Sequence, residues 1–476
     1  MKVNLTMLAD FYELTMSNGY FQQGIGEKTA YFEMFFRKVP DGGGFAIMAG
    51  LEQLTEYLDS LHFDDDDIEF LRSKNMFDEG FLQYLRDFEF KCDVWAVPEG
   101  TPVFPGEPLV VVRGPVIQAQ FIETMILLSI NHQSLIATKA QRIVRAANGR
   151  AVMEFGSRRA QGYDGAVYGA RAAYIGGCSG TACTICEQNF GIPALGTMAH
   201  SWVQLFPDEY SAFCAYASIY PDDCTLLIDT YNVLKSGLPN AIKVHKEVLE
   251  PSGSYLKGVR IDSGDIAYLT KKIRKELDDA GLTKTKIVVS NSLDEYIIRD
   301  TLAQGACIDS FGVGERLITS RSEPVFGGVY KLTAVESGGE IVPKIKISEN
   351  VAKITLPGFK NLYRLFTPEN KAIADVITLH DEVIDDNKPY TIFHPEHTWK
   401  KKELKNFTAK KLLKEIYVKG KRVYDNPDIK DIKKYCAEQV DTLWEEVKRF
   451  ENPHGYYVDL SQKLWDVKND LINKFE

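Results

Sequence analysis

The sequence predicts an α/β protein built around an incomplete, irregular parallel barrel. Three observations predict it. Apolar runs of strand length alternate with stretches of helical period, their starts recurring about every 20 to 40 residues, the repeat of a strand–helix unit in a parallel array. Polar or small residues gather where each run ends, as they do on the carboxyl-end face of such an array. The runs number six rather than the eight of a full barrel, so the barrel is incomplete or some strands escape sequence patterning. With 476 residues the chain exceeds the roughly 250 to 300 residues at which single cores stop growing, so two or three domains are expected.

Residues 1–125 read as an α+β domain. The start, "MKVNLTMLADFYELTM", carries Asp10 and Glu13 inside its apolar part, which excludes a signal peptide and a spanning segment. Proline and glycine punctuate the valine-rich pieces of "CDVWAVPEGTPVFPGEPLVVVRGP", the pattern of short strands joined by turns. The barrel is expected over 126–329. Its runs are "AVMEFG" (151–156), "IPALGTMAH" (192–200), "CTLLIDT" (224–230), "GVRIDSGD" (258–265), "KIVVSNS" (286–292) and "ACIDSFGVG" (306–314). Between two of them, "IAYLTKKIRKELDDAGL" has helical spacing with Gly281 as its C-cap. Strand-like pieces return over about 330–380 and are read as completing the first domain. Residues 380–476 read as a lysine-rich, mostly helical extension, with "WKKKELKNFTAKKLLKEIYVKGKR" (399–422) as an amphipathic helix showing lysines to solvent.

Composition narrows the function. A formal charge of −10 argues against nucleic-acid binding, which needs a concentrated basic surface. No run reaches the roughly 20 apolar residues of a membrane span; "FIETMILLSI" comes nearest and Glu123 interrupts it. Eight scattered cysteines fit reduced thiols in the cytoplasm better than a disulfide framework. Cys178, Cys183 and Cys186 have the spacing of metal ligands without an obvious fourth, and His394 with His397 raises the same suspicion; for both the structural reading is preferred.

Four constellations can carry chemistry. "VRIDSGD" ends a strand in Asp262 and Asp265 around Ser263 and Gly264; the glycine admits a ligand to the backbone, the carboxylates suit ribose hydroxyls or Mg²⁺, and Arg260 adds a donor fork for a carboxylate or phosphate. The alternative is an ordinary polar turn capping a helix. "SFGVGERL" (310–317) is a second glycine turn, a candidate phosphate cradle through Gly312 and Gly314. "EFGSRRAQG" sets Arg158 and Arg159 beyond Phe155, guanidiniums for a polyphosphate and an aromatic face for a flat ring; the alternative pairs an arginine with Asp164 or Glu187 and puts Phe155 in the core. His200, after a small-residue stretch, can be a base, a metal ligand or a phosphate carrier, and Asp229 of "IDTYN" can orient it.

Taken together and in order, "ADFYELTM", "EFGSRRAQG", "GTMAHSW", "DTYN", "VRIDSGD" and "FGVG" resemble the nicotinate phosphoribosyltransferases of bacteria, across nearly the whole chain. The resemblance implies condensation of nicotinate with 5-phosphoribosyl 1-pyrophosphate (PRPP) to nicotinate mononucleotide and pyrophosphate, coupled to ATP hydrolysis, in NAD salvage. It also implies an incomplete barrel with an α/β sandwich domain, and a homodimer with sites at its interface. By the same resemblance His200 is the residue that ATP phosphorylates. Phe155 and a partner-supplied Tyr12 stack on the pyridine, and Thr197 and Arg260 contact nicotinate. Arg158, Arg159, Asp262, Ser263, Gly264, Asp265, Asn291, Gly312 and Gly314 line the PRPP site, with Mg²⁺ carried by substrate phosphates and no protein ligand assigned. Glu315 departs from the hydroxyl residue expected in the phosphate loop. Two rivals remain at this point: nicotinamide phosphoribosyltransferase, and a non-catalytic nucleotide-sensing barrel.

Overall fold

The computed structural model describes residues 4–349 and 353–475. The chain divides into two compact units, Met1–Leu135 with Val325–Glu476, and Ile136–Pro324.

In the first unit, a seven-stranded sheet has Thr29–Phe36 near its middle, antiparallel to both Val110–Pro115 and Gly328–Ser337. The central strand is apolar almost throughout and seven of its eight residues are buried, as a strand covered on both faces must be. A chain segment from beyond residue 324 therefore completes a sheet begun before residue 40, which makes the second unit an insertion in sequence. A four-stranded sheet, in the order Thr408–Lys411, Lys360–Phe366, Ala372–Leu379 and Val458–Leu460, packs Leu365, Ala374, Val376, Ile392, Leu404 and Phe407 into one core. Arg364 and Asp375 face each other in that sheet, wholly buried, with two bonds of 2.8 and 2.6 Å.

The mostly helical extension expected over 380–476 is not what forms. Helices occupy Ile429–Thr442 and Gln462–Phe475, but the lysine-rich stretch folds as strands at Lys401–Leu404, Thr408–Lys411, Lys414–Val418 and Lys421–Arg422. Turn chemistry overrides the helical spacing there. Asn406 and Lys419 take positive φ of 55° and 49°, and Gly420 follows at 75° where a Cβ would lie 1.8 Å from the Phe90 carbonyl oxygen; such positions end a helix and reverse a chain. The lysines still face water.

The second unit contains a six-stranded, wholly parallel sheet in the order Gly180–Thr181, Ala151–Glu154, Ser310–Val313, Lys286–Ser290, Gly258–Ile261 and Thr225–Leu227. Five of the six predicted runs supply a strand. "IPALGTMAH" does not: its residues are extended, with one bridge between Thr181 and Ala194, and His200 opens the helix His200–Gln204. The sixth strand is the two-residue Gly180–Thr181, whose Gly180 lies so near Pro193 that a Cβ would meet its carbonyl oxygen at 2.4 Å. The run misled because Pro193 and Gly196 deny it a regular ladder while its apolar residues still pack; Ile192 and Met198 are buried. Among the described residues, no helix is long and apolar enough to cross a membrane.

Candidate active site

Every candidate in the second unit lies at or just past the carboxyl end of a strand or of the extended 192–199 segment, because parallel strands deliver their last residues to one edge. Asp229 follows Thr225–Leu227 and its side chain is 1% exposed. One carboxylate oxygen, Oδ2, accepts from the backbone N–H of Asp262 at 2.8 Å and from the Ser263 hydroxyl at 2.6 Å. Its other oxygen, Oδ1, is buried, has no hydrogen-bond partner among the described residues, and lies 3.9 Å from Nε2 of His200. The other imidazole nitrogen, Nδ1, meets the Thr230 hydroxyl at 3.1 Å. The His200 side chain is 42% exposed, so the ring is oriented from behind and open in front. Asp229 thus joins His200 to the turn 262–265.

A second cluster forms around Arg260, which precedes the last residue of Gly258–Ile261. Its Nε donates to the Ser290 hydroxyl at 2.9 Å and its Nη1 to the Thr197 hydroxyl at 3.0 Å. The guanidinium carbon stands 5.5 Å from the centre of the Phe155 ring, within cation–π range. Burial lowers the pKa of Arg260 from its ordinary value, and Arg158 adds to this, while Asp262 and Asp229 oppose it; the side chain remains a cation. Phe155 is half-buried and its ring occupies the space that a side chain at Gly312 would need: a Cβ there would fall 2.5 Å from ring carbon Cδ2. Gly312 is therefore required by the aromatic ring, whatever it does for phosphate.

The phosphate candidates follow the same strands. Arg158 and Arg159 are exposed on the short turn Ser157–Arg159. Gly264, at φ 82°, and Ser263 are exposed in the 262–265 turn. Asn291 sits at φ 117° and Ser292 at φ 32° just past Lys286–Ser290, backbone that non-glycine residues adopt at a cost and that clusters at functional loops. Asp265 serves the fold, capping the helix Ile266–Asp279 by accepting from the Tyr268 N–H at 2.8 Å. Gly314 precedes the one-turn helix Glu315–Ile318, and the Glu315 carboxylate is paired with Arg321 at 2.9 Å. Tyr12 belongs to the first unit, on the helix Phe11–Gln22, and is 42% exposed; partial burial and the negative charge of Glu123 raise its pKa.

Sequence reasoning gave no role to three residues here. Thr230 holds the imidazole, and its only signal was adjacency to Asp229. Ser290 was visible only as a hydroxyl at the end of a run. Glu154, an acid inside the apolar run "AVMEFG", is fully buried; it accepts from Thr181 at 2.6 Å and from the Gly156 N–H, and burial raises its pKa. It ties the turn after Phe155 to the edge strand.

Among the described residues, no group of three or more His, Cys, Asp or Glu side chains is gathered as a metal site. Cys178 and Cys186 are buried thiols and Cys183 is partly so, while His394 and His397 stack on each other with centroids 4.8 Å apart. An imidazole near a buried carboxylate, a guanidinium beside an aromatic face, and glycine turns at strand ends have the chemistry to receive anionic groups and a flat ring.

Comparison with known proteins gives the family. Profiles described as the nicotinate phosphoribosyltransferase N-terminal domain, the nicotinate phosphoribosyltransferase family and its C-terminal domain match residues 7–131, 150–369 and 359–468. The nicotinate phosphoribosyltransferase of Bacillus subtilis (strain 168) is 45% identical over 472 residues, 99% of this chain and 96% of that protein. One from Mycobacterium tuberculosis is 36% identical over 460 residues, 96% of this chain and 92% of its own. The crystal structure of human nicotinic acid phosphoribosyltransferase superposes with a TM-score of 0.86 at 30% identity, covering 97% of this chain and 99% of that one. Nicotinate-nucleotide pyrophosphorylase from Pyrococcus furiosus, at 23% identity and a TM-score of 0.70, shares the fold. The chain belongs to the nicotinate phosphoribosyltransferase family, a family of enzymes.

Proposed function

We propose that this protein condenses nicotinate with PRPP to nicotinate mononucleotide and pyrophosphate, driven by ATP through a phosphoryl group carried on His200. The observation that carries the reading is the double use of Asp229: one oxygen fixes the 262–263 backbone and hydroxyl, the other faces the imidazole. A change of charge on the ring is thereby felt by the turn that is assigned to PRPP.

In the coupling half-reaction an imidazole nitrogen attacks the γ-phosphorus of ATP, the N–P bond forms as the P–O bond to ADP breaks, and water later releases inorganic phosphate. Asp229 stabilises the positive charge of the phosphorylated ring and Thr230 keeps its orientation. In the synthetic half-reaction the pyridine nitrogen bonds to the ribose anomeric carbon as the C–O bond to pyrophosphate breaks, through an oxocarbenium-like state. Phe155 gives the pyridine a face, Arg260 and Thr197 hold its carboxylate, and Arg158 and Arg159 take up leaving-group charge. Mg²⁺ would supply further neutralisation when carried in on substrate phosphates; of the two carboxylates of the turn, Asp265 caps a helix and Asp262 accepts from Ser290, and each keeps a second oxygen that could meet the ion.

Finer readings accompany it. The parallel sheet is read as an incomplete barrel, supported by the 192–200 segment: it bridges to Thr181 at one sheet edge and, through His200, bonds to Thr230 beyond the other. A homodimer with Tyr12 reaching Phe155 of a second copy is supported by Leu5, Leu8, Phe11, Tyr12 and Met16, large apolar side chains left exposed together near the chain's start. Eight free thiols support a cytoplasmic setting.

Incubation with γ-labelled ATP tests the function. Acid-labile, base-stable label on the wild type, lost in His200→Ala, is expected; undiminished labelling of the variant overturns the role of His200. Equal use of nicotinamide and nicotinate by the wild type overturns the choice of ring.

A further inference from the structure

Ser290 closes the strand Lys286–Ser290 and is 4% exposed. Parallel pairing matches Val289 with Ile261, so Ser290 stands level with Asp262 on the neighbouring strand end. Its hydroxyl donates to Oδ1 of Asp262 at 2.6 Å and accepts from Nε of Arg260 at 2.9 Å. A hydroxyl has one hydrogen. Committing it to the carboxylate turns a lone pair to the guanidinium, so each bond fixes the other.

This small group stands where two charges would otherwise meet. Nη2 of Arg260 and Oδ1 of Asp262 are 3.8 Å apart, close enough to attract and beyond a direct hydrogen bond. Serine on one edge and Thr197 on Nη1 hold the guanidinium with neutral oxygens. A bidentate pair with Asp262 would satisfy the same donors, but it would swing the fork away from the Phe155 ring and cancel its charge toward a ligand.

We infer that Ser290 is a positioning residue for substrate choice: by interposing its hydroxyl between Arg260 and Asp262 it keeps the guanidinium beside Phe155, where it favours a pyridine carboxylate over the neutral amide. The inference rests on the assignment of Arg260 to nicotinate given above. The same hydroxyl also holds the Asp262 carboxylate, which is assigned to PRPP, so its loss reaches both substrates and the discrimination between the two rings is the readout that reports on Arg260.

The test compares the wild type, Ser290→Ala and Ser290→Thr in nicotinate and nicotinamide titrations, with KM for PRPP, labelling by γ-labelled ATP and thermal melting measured alongside. In Ser290→Ala the nicotinate KM should rise about tenfold and the preference for nicotinate over nicotinamide should fall about tenfold, the scale of one charge-assisted contact. The labelling should stay within about twofold, any rise in the KM for PRPP should be the same with either ring, and Ser290→Thr should keep the preference, because the hydroxyl rather than the size of residue 290 is at work. Equal losses for both rings, an unchanged preference in Ser290→Ala, or the same loss in Ser290→Thr would overturn the inference. The underlying reading fails differently, by a wild type that does not discriminate between the rings.

Discussion

Replacing Gly312 by alanine tests the ring pocket from the protein side. The added Cβ would lie 2.5 and 2.7 Å from Phe155 Cδ2 and Cε2, about 1 Å inside ordinary carbon–carbon contact. The backbone at 312 is hydrogen-bonded into the centre of the parallel sheet between Met153 and Ser290, so the ring must move rather than the strand. Overpacking of this kind costs about 1–3 kcal/mol. If the ring retreats, that strain falls but the face beside Arg260 is lost, and an aromatic face is worth about 0.5–1.5 kcal/mol, a rise of about two- to tenfold in the nicotinate KM. Steady-state titration of nicotinate at saturating PRPP, with a melting curve on the same preparation, reads both effects. A melting point lowered by about 2–4 °C per kcal/mol and a raised nicotinate KM are expected. If the KM for PRPP rises instead while that for nicotinate stays at its wild-type value, Gly312 serves phosphate and the argument from Phe155 is wrong.

Two further outcomes follow from the geometry. Glu13 is fully buried, accepts two bonds from Thr124, and is pushed up to about 8 by burial, with Glu123 and Asp10 adding to it. Its folded pKa exceeds the unfolded one, so the folded state binds the extra proton and stability falls as pH rises from about 4.5 to about 8; Glu13→Gln should remove that slope and gain on the order of a few kcal/mol at the alkaline end, and parallel urea midpoints for the two proteins across this range would refute it. Asp265→Ala should cost about 1 kcal/mol by uncapping the helix Ile266–Asp279, whereas Asp265→Asn should keep most of it; equal melting points for all three proteins would show that the cap carries no stability.

The motifs at strand ends were legible because parallel strands have a sequence signature and deliver their carboxyl ends to one side. "VRIDSGD", "IDTYN" and "EFGSRR" could each be placed on that side from patterning alone. Two features were not legible. The stretch 192–200 has the composition of a strand, yet its pairing partner is the two-residue Gly180–Thr181, too short to be recognised from periodicity. The lysine-rich stretch 399–422 has helical spacing, and the turns that break it, at Asn406 with φ 55° and at Gly420 where a Cβ would meet the Phe90 carbonyl oxygen, show themselves only in the folded chain.

By itself the sequence determined the chemistry available: an imidazole, guanidiniums, an aromatic ring, an acidic glycine turn, and a parallel array to carry them. Only the tertiary structure decided which of these act together, for instance that a single carboxylate, Asp229, serves both His200 and the 262–263 turn, and that Ser290 separates Arg260 from Asp262. The physical reason is that hydrogen bonding and charge pairing depend on distances of about 3 Å between residues 30 or more positions apart, and local patterning along the chain carries no information about those distances.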